Sequence, residues 1–218
     1  MSILKKIQPI KTFIFSNKCC ICNEILNKNS FYICSSCRKD LIKKIHLRNF
    51  KNVYFLLDYN PNVKLLIKNY KFYNKKYIGL LIASLIKKDL YQIIKLNHIN
   101  LIIPVPISKE KYRSRGFNQV NYILDLLNIK YKKIIRNKNT YPMSLLKSNN
   151  ARHLNIKSSF SIPFNISNKN ILIIDDIITT GNTVKEIKKE ILKKGKPNSI
   201  FIFSIAAAKS FHKNISSI

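Results

Sequence analysis

Two groups of residues in this chain have types and spacings that could do chemistry. The first lies in "ILIIDDIITTGNT", residues 171–183, where the adjacent carboxylates Asp175 and Asp176 follow an apolar run and lead into a small polar turn around Gly181. Carboxylates accept hydrogens from hydroxyl groups. A turn of small residues that opens a helix offers backbone N–H groups and the positive end of a dipole to a phosphate. A sugar phosphate suits both parts, with ribose hydroxyls on the acids and a 5-phosphate in the turn. The reading without a ligand makes Asp176 a turn residue and Thr180 or Thr183 a helix cap.

The second group is "CCICNEILNKNSFYICSSC", which holds all five cysteines of the chain. Cys19 with Cys22 and Cys34 with Cys37 form two Cys-x-x-Cys pairs with eleven residues between them. Two such pairs can converge on one tetrahedral Zn²⁺ through four thiolates. A redox dithiol or a pair of disulfides would use the same residues. A redox motif needs only one pair, however, and disulfides fit poorly with a chain that shows no export signal. A site of four cysteines leaves no open position to activate water, so its role would be structural. Cys20 is left as a free thiol.

The elements that must hold these groups can be read from periodicity. "KNVYFLLDY" reads as a strand, Pro61 opens the helix "NVKLLIKNYKF", and a longer helix runs through "KYIGLLIASLIKKDLYQIIKL". "INLIIPVPIS" is a short buried strand, followed by a loop, "KEKYRSRGFNQ", a helix, "VNYILDLLN", and a strand around "YKKIIR". After a polar stretch, residues 137–155, come the strand "KNILIID", the helix "TVKEIKKEILKK" and the strand "SIFIFSIAA", with a frayed tail from Lys209. Strands alternating with helices imply an α/β fold, a mostly parallel sheet with helices on both faces. Ligands of such sheets sit at the carboxyl ends of the strands, where Asp175 and Asp176 emerge.

Composition narrows the classes. At 218 residues and 46% hydrophobic content the chain can bury a proper core, which excludes a disordered tail. The formal charge of +30 invites polyanions, but the lysines are spread over many short pairs rather than one stripe. Solvated faces account for most of them, with an unlocated affinity for nucleic acid left over. The first eighteen residues lack a continuous apolar run, and no segment is long enough to cross a bilayer, so the expected address is cytoplasmic with no membrane insertion.

With these landmarks in order along the chain, "IIPVP", "RSRGFNQ", Arg152-x-x-Asn155 with Phe160, the cysteine pairs and "ILIIDDIITTGNT", the sequence resembles the ComF family of type I phosphoribosyltransferase-like proteins. The resemblance implies a zinc-ribbon-like module over residues 1–46 and a phosphoribosyltransferase-like domain over 47–218. It implies that Asp175 and Asp176 hold the ribose hydroxyls of phosphoribosyl pyrophosphate (PRPP), while Thr179, Thr180, Gly181, Asn182 and Thr183 hold its 5-phosphate. The segment from Ile107 to Arg115 corresponds to the one that touches pyrophosphate, and the reacting set becomes Asp175, Asp176 and Arg115. Mg²⁺ would enter with PRPP, and structural Zn²⁺ would sit on Cys19, Cys22, Cys34 and Cys37. The residues around Arg152 correspond to a flap over the sugar.

The same resemblance places the protein in DNA uptake or use of external DNA, with single-stranded DNA or a helicase-like protein as partner. The reaction implied is transfer of a phosphoribosyl group to a nitrogenous base. A non-catalytic module that binds a nucleotide or single-stranded DNA is the alternative. The sequence departs from the family where "YN" follows Lys71-Phe72 and where "TYPMSLL" lacks a glutamine, both in regions that bear on the acceptor base.

Overall fold

The structure is a computed structural model, and it describes residues 18–26, 32–72, 76–137 and 160–214. After the cysteine segment come α1 (Ser35–Lys43), β1 (Arg48–Phe50), β2 (Val53–Asp58), α2 (Pro61–Phe72), α3 (Ile78–Leu96) and β3 (Leu101–Pro104). Then follow α4 (Lys109–Arg115), α5 (Gln119–Leu126), β4 (Ile135–Arg136), β5 (Phe160–Ser161), β6 (Asn170–Ile178), α6 (Asn182–Lys194), β7 (Ser199–Ala207) and α7 (Lys209–Asn214).

The main sheet has the order β1-β2-β7-β6-β3. Its β2-β7, β7-β6 and β6-β3 pairs are parallel, and β1 adds an antiparallel edge. The central strands are apolar on both sides because both are covered. Alternate residues of β6 divide between two cores. Leu172 and Ile174 pack with α2, α3 and α5, whereas Ile171 and Ile173 pack with α6 and with Phe211 of α7. This period of two sends Asp176 to the α2 side and Asp175 to the other.

Local signals explain the helix that matters most. Pro61 starts α2 where a missing N–H costs nothing, and Asn60 caps it by accepting from the Val63 N–H at 3.0 Å. Val63, Leu66, Ile67 and Tyr70 then bury one face. Gly79 on α3 lets this helical pair close on α5, since a Cβ there would lie 2.9 Å from the Tyr122 ring.

Four local readings change. The segment before Gly116 is a short helix, α4, because Ser108 caps it by accepting from the Lys111 N–H and Gly116 ends it in the left-handed region at φ 75°. The strand near Ile135 is only two residues long and pairs antiparallel with β5, outside the main sheet. The tail from Lys209 is helical through Asn214, anchored by the fully buried Phe211. And β6 runs past the acids to Ile178, held by parallel pairing with β7 as far as Ala207, so the carboxylates lie within the strand.

Candidate functional site

The site is built where β6 ends and α6 begins. Asp176 shares the parity of Leu172 and Ile174, so its side chain meets the last turn of α2, where its Oδ2 forms an ion pair with Lys71 Nζ. Its Oδ1 accepts the Ile177 N–H at 2.9 Å, and the residue is only 5% exposed. Asp175 is partly exposed and accepts the Asp176 N–H on its Oδ1 at 2.8 Å. Burial and the neighbouring Asp176 carboxylate push the Asp175 carboxyl well above the usual range, with Lys71 opposing weakly. The pair is therefore unequal: one acid is locked to a lysine, and the other holds its proton more tightly than an ordinary aspartate.

Immediately downstream, Thr179, Thr180 and Asn182 are exposed, Thr183 is half-buried and Gly181 is buried. Gly181 adopts φ 76° and forms the amino-terminal boundary of α6 with no side-chain capping bond. The left-handed backbone suits glycine, and the first N–H groups of α6, as at any helix start, have no partner within the helix. The Thr179 carbonyl is held from the other side by the Ser210 hydroxyl, which donates to it at 2.9 Å. The residue at the N-cap position is Gly181, not Thr180 or Thr183.

Cations gather at the same edge. Arg115, the last residue of α4, is 8% exposed, donates from Nη1 to Gln119 Oε1 at 3.1 Å and lies over the Phe72 ring at 4.6 Å. Its buried Nε has no hydrogen-bond partner among the described residues. Burial lowers its affinity for a proton while Asp176 raises it. Lys111 is exposed as a residue, yet partial desolvation, together with the charges of Arg115, Arg136 and Lys71, pushes it down, with Asp176 again opposing. Arg136, in β4, is lowered by burial against the favourable charge of Glu186 on α6. Arg113 is exposed and takes no part in this cluster.

Such an edge can accept hydroxyl hydrogens, hold a terminal phosphate on N–H groups and neutralise a second anion with guanidinium and ammonium groups. Sequence reasoning singled out Asp175, Asp176, Arg115 and residues 179–183, which the fold brings together at one edge. It placed Lys111 only within the pyrophosphate segment 107–115 and assigned no role to Lys71 or Arg136. A signal for Lys71 was present, because it follows Ile67 by four and Val63 by eight on the apolar face of α2. A lysine there must find a buried partner. Arg152 and Asn155 lie outside the described residues.

The second group assembles as its spacing suggested. The Sγ atoms of Cys19, Cys22, Cys34 and Cys37 all lie within 4.8 Å of one another, and those of Cys22 and Cys34 are 3.7 Å apart. A tetrahedron with Zn–S bonds of about 2.3 Å has edges of about 3.8 Å, whereas a disulfide needs about 2.05 Å. None of the five cysteines forms a disulfide. Backbone N–H groups of Ile21 and Cys34 donate to Cys19 Sγ, and that of Cys37 to Cys34 Sγ. Burial pushes the Cys19 thiol up, and N–H donation from Cys22, Cys34 and Ile21 outweighs it, bringing it down to about 7. The donor set fits a structural metal.

This segment is not isolated. Cys19, Cys20, Ile21, Tyr32 and Leu41 share one hydrophobic core with α2 and α3. Asn69 Nδ2 on α2 donates to the Cys20 carbonyl at 3.2 Å, and Tyr32 stacks on Tyr77 with ring centroids 6.4 Å apart. One helix thus touches the cysteine segment, at the Cys20 carbonyl, through Asn69, and Asp176 through Lys71.

Among the described residues, no helix is long and apolar enough to cross a membrane. No curated protein matches the chain in sequence. Among solved structures, the chain is 18% identical to a hypoxanthine phosphoribosyltransferase from Staphylococcus aureus, covering 59% of this chain and 64% of that one, under two thirds of its length, with a TM-score of 0.39. It is 15% identical to an adenine phosphoribosyltransferase from Saccharomyces cerevisiae, over 84% of this chain and 95% of that one, with a TM-score of 0.43. For a purine phosphoribosyltransferase from Pyrococcus horikoshii the figures are 13%, 73%, 89% and 0.31. Likenesses of this size add nothing to the geometry above. Residues 109–216, which carry α4, Arg115, the acid pair and the turn after it, match the phosphoribosyl transferase domain, and the α/β fold, a mostly parallel sheet covered by helices, is of the phosphoribosyltransferase-like class.

Proposed function

We propose that this protein binds PRPP, or a closely related ribose phosphate, at the carboxyl edge of β6. The observation that carries the reading is the uncapped start of α6 directly after a carboxylate pair, with Lys71, Lys111 and Arg115 crowded on the same edge. The turn 179–183 takes the 5-phosphate on its N–H groups, Asp175 and Asp176 accept the ribose hydroxyls, and Lys111 and Arg115 face the pyrophosphate. In transfer, a nitrogen nucleophile forms a bond to C1 as the bond from C1 to pyrophosphate breaks, and the nucleophile's proton passes to solvent. The chain needs no covalent nucleophile; it positions the sugar and stabilises charge on the departing pyrophosphate. Mg²⁺ bound with PRPP would supply further neutralisation, taking most of its oxygen ligands from substrate and water, with Asp175 the more accessible protein carboxylate.

The cysteine cluster holds structural Zn²⁺ in this reading, residues 1–46 form the zinc-bearing module, and 47–218 the transferase-like part. Free thiols of this kind suit a reducing compartment such as the cytoplasm. The resemblance to the ComF family sets the activity in DNA uptake or use of external DNA. Titration calorimetry of PRPP with Mg²⁺ tests the binding. Micromolar affinity in the wild type and at least tenfold weaker binding in Asp175→Asn are expected, and equal affinities would contradict it. A screen for pyrophosphate release against purines, pyrimidines and amines then decides whether binding leads to transfer.

One observation favours a second reading. Phe72 and Tyr112, 57% and 54% exposed, stand near Arg115 and Lys111, a combination that can stack bases while holding a backbone. Salt-dependent binding of single-stranded DNA, without pyrophosphate release for any acceptor, would favour a non-catalytic module.

A further inference from the structure

Lys71 occupies an unusual place. Its side chain is 14% exposed and that of Asp176 is 7% exposed, so their ion pair is largely shielded from water. Both carboxylate oxygens of Asp176 are engaged, one by Lys71 and one by the Ile177 N–H. A sugar hydroxyl that is to donate to Asp176 Oδ2 must therefore displace the ammonium. Among the described residues, the charged groups that feel Lys71 besides Asp176 are Lys111, a cation, and Asp175, whose carboxyl holds its proton more tightly than usual, so neither offers the ammonium a ready replacement. A buried ammonium without a partner is costly, so displacement succeeds only if the incoming ligand brings Lys71 a new anion.

We propose that Lys71 is a counter-ion switch that selects ligands carrying a pyrophosphate at C1 over ligands carrying only a 5-phosphate. The inference rests on the ribose phosphate reading above and deepens it. A ligand such as ribose 5-phosphate offers its phosphate to the start of α6 and its diol to the acids, and leaves Lys71 stranded. PRPP offers the same groups and adds an anion for the cations of this edge: Lys111 feels the charges of both Lys71 and Arg115, and the buried Nε of Arg115 has no hydrogen-bond partner among the described residues. Lys71 then passes from Asp176 to the pyrophosphate, and Asp176 is released to the sugar. Selectivity arises from a penalty on the wrong ligand as much as from contact with the right one.

Two measurements test this by calorimetry. In the wild type, saturating inorganic pyrophosphate should raise the affinity for ribose 5-phosphate at least fivefold, because it takes Lys71 away from Asp176; by linkage, ribose 5-phosphate should raise pyrophosphate affinity by the same factor. Independent or mutually exclusive binding of the two overturns the proposal. In Lys71→Met, the wild-type preference for PRPP over ribose 5-phosphate should shrink at least tenfold, with ribose 5-phosphate bound more tightly than before, while Lys71→Arg keeps the preference. Equal changes for both ligands in Lys71→Met would show that Lys71 only supports the fold. The wild-type experiment stands even where that variant does not fold. Binding of PRPP without the pyrophosphate effect sinks the switch alone, whereas failure of the wild type to bind either sugar phosphate removes the underlying reading and the switch with it.

Discussion

The thiol cluster and the acid pair are two places where this fold crowds groups that repel one another once ionised, and they are neutralised in opposite ways. Four cysteine sulfurs lie within 4.8 Å of one another, and a metal bound there as to four thiolates is a cation from outside the chain. The acid pair has its own cation, Lys71, delivered by α2 from the neighbouring layer. An external ion makes a site that is stable once filled and has no reason to open. An internal lysine makes a site that is satisfied when empty and must rearrange to bind. The first is the design of a structural centre, the second that of a ligand site.

The sharpest way to break the comparison is to remove the external cation. Chelation, or Cys34→Ser, should release one equivalent of zinc and cost about 5 kcal/mol or more of folding free energy, since metal binding and folding are linked. Because Asn69 and Lys71 share α2, PRPP affinity should fall as well. Zinc release followed by dye, with melting recorded alongside, checks both; an unchanged melting curve after complete zinc loss would refute the structural role.

Next in size is the loss of the internal pair. Asp176→Asn leaves the Lys71 ammonium buried without an ionised partner and should cost about 3 kcal/mol in urea unfolding. Adding Lys71→Met to that variant should recover much of the loss, because removing both charges also removes the penalty for burying them. A double variant less stable than the sum of its singles would show that the ion pair is not the unit.

Asp175 should behave in the opposite sense. Its folded proton affinity is raised by burial and by Asp176, so the protein gains stability from it at low pH and loses that stability as pH rises through the raised value. Asp175→Asn removes the loss. The variant should therefore melt higher than wild type at neutral pH, with the advantage fading towards pH 4, even as it binds PRPP less well. A melting difference that is constant across that range would mean burial is not what perturbs this carboxyl.

The smallest effect compares the two left-handed glycines. Gly116→Ala should cost about 1 kcal/mol from backbone strain alone, since an added Cβ meets nothing within 4 Å. Gly181→Ala should cost a similar amount in stability, and phosphate binding should weaken as well because the strained turn is the one that opens α6. Paired unfolding and titration measurements separate the two positions.

Much of the architecture was legible because burial on both sides of a parallel sheet leaves runs such as "NILIID" and "SIFIFSIAA" with little polar interruption. The helices α2, α3 and α6 carry apolar spacing that survives in any context. The changed readings are those where short-range pattern is outvoted. Phe211 looks like a residue in a polar tail until α6 and the sheet form the cavity it fills. The strand β6 continues through two aspartates because β7 pairs beside them, although aspartate is a poor strand former.

The chain's own letters suffice to say that four thiols can meet, that two acids stand beside a small polar turn that opens a helix, and that strands and helices alternate. These follow from spacing and period, which are properties of neighbours along the backbone. That Asp176 faces inward, that Lys71 from a helix more than a hundred residues earlier neutralises it, and that the same helix rests on the thiol segment depend on which layer covers which face. Long-range electrostatics between buried groups is set by packing, and packing exists only once the whole sheet has closed between its two layers of helices.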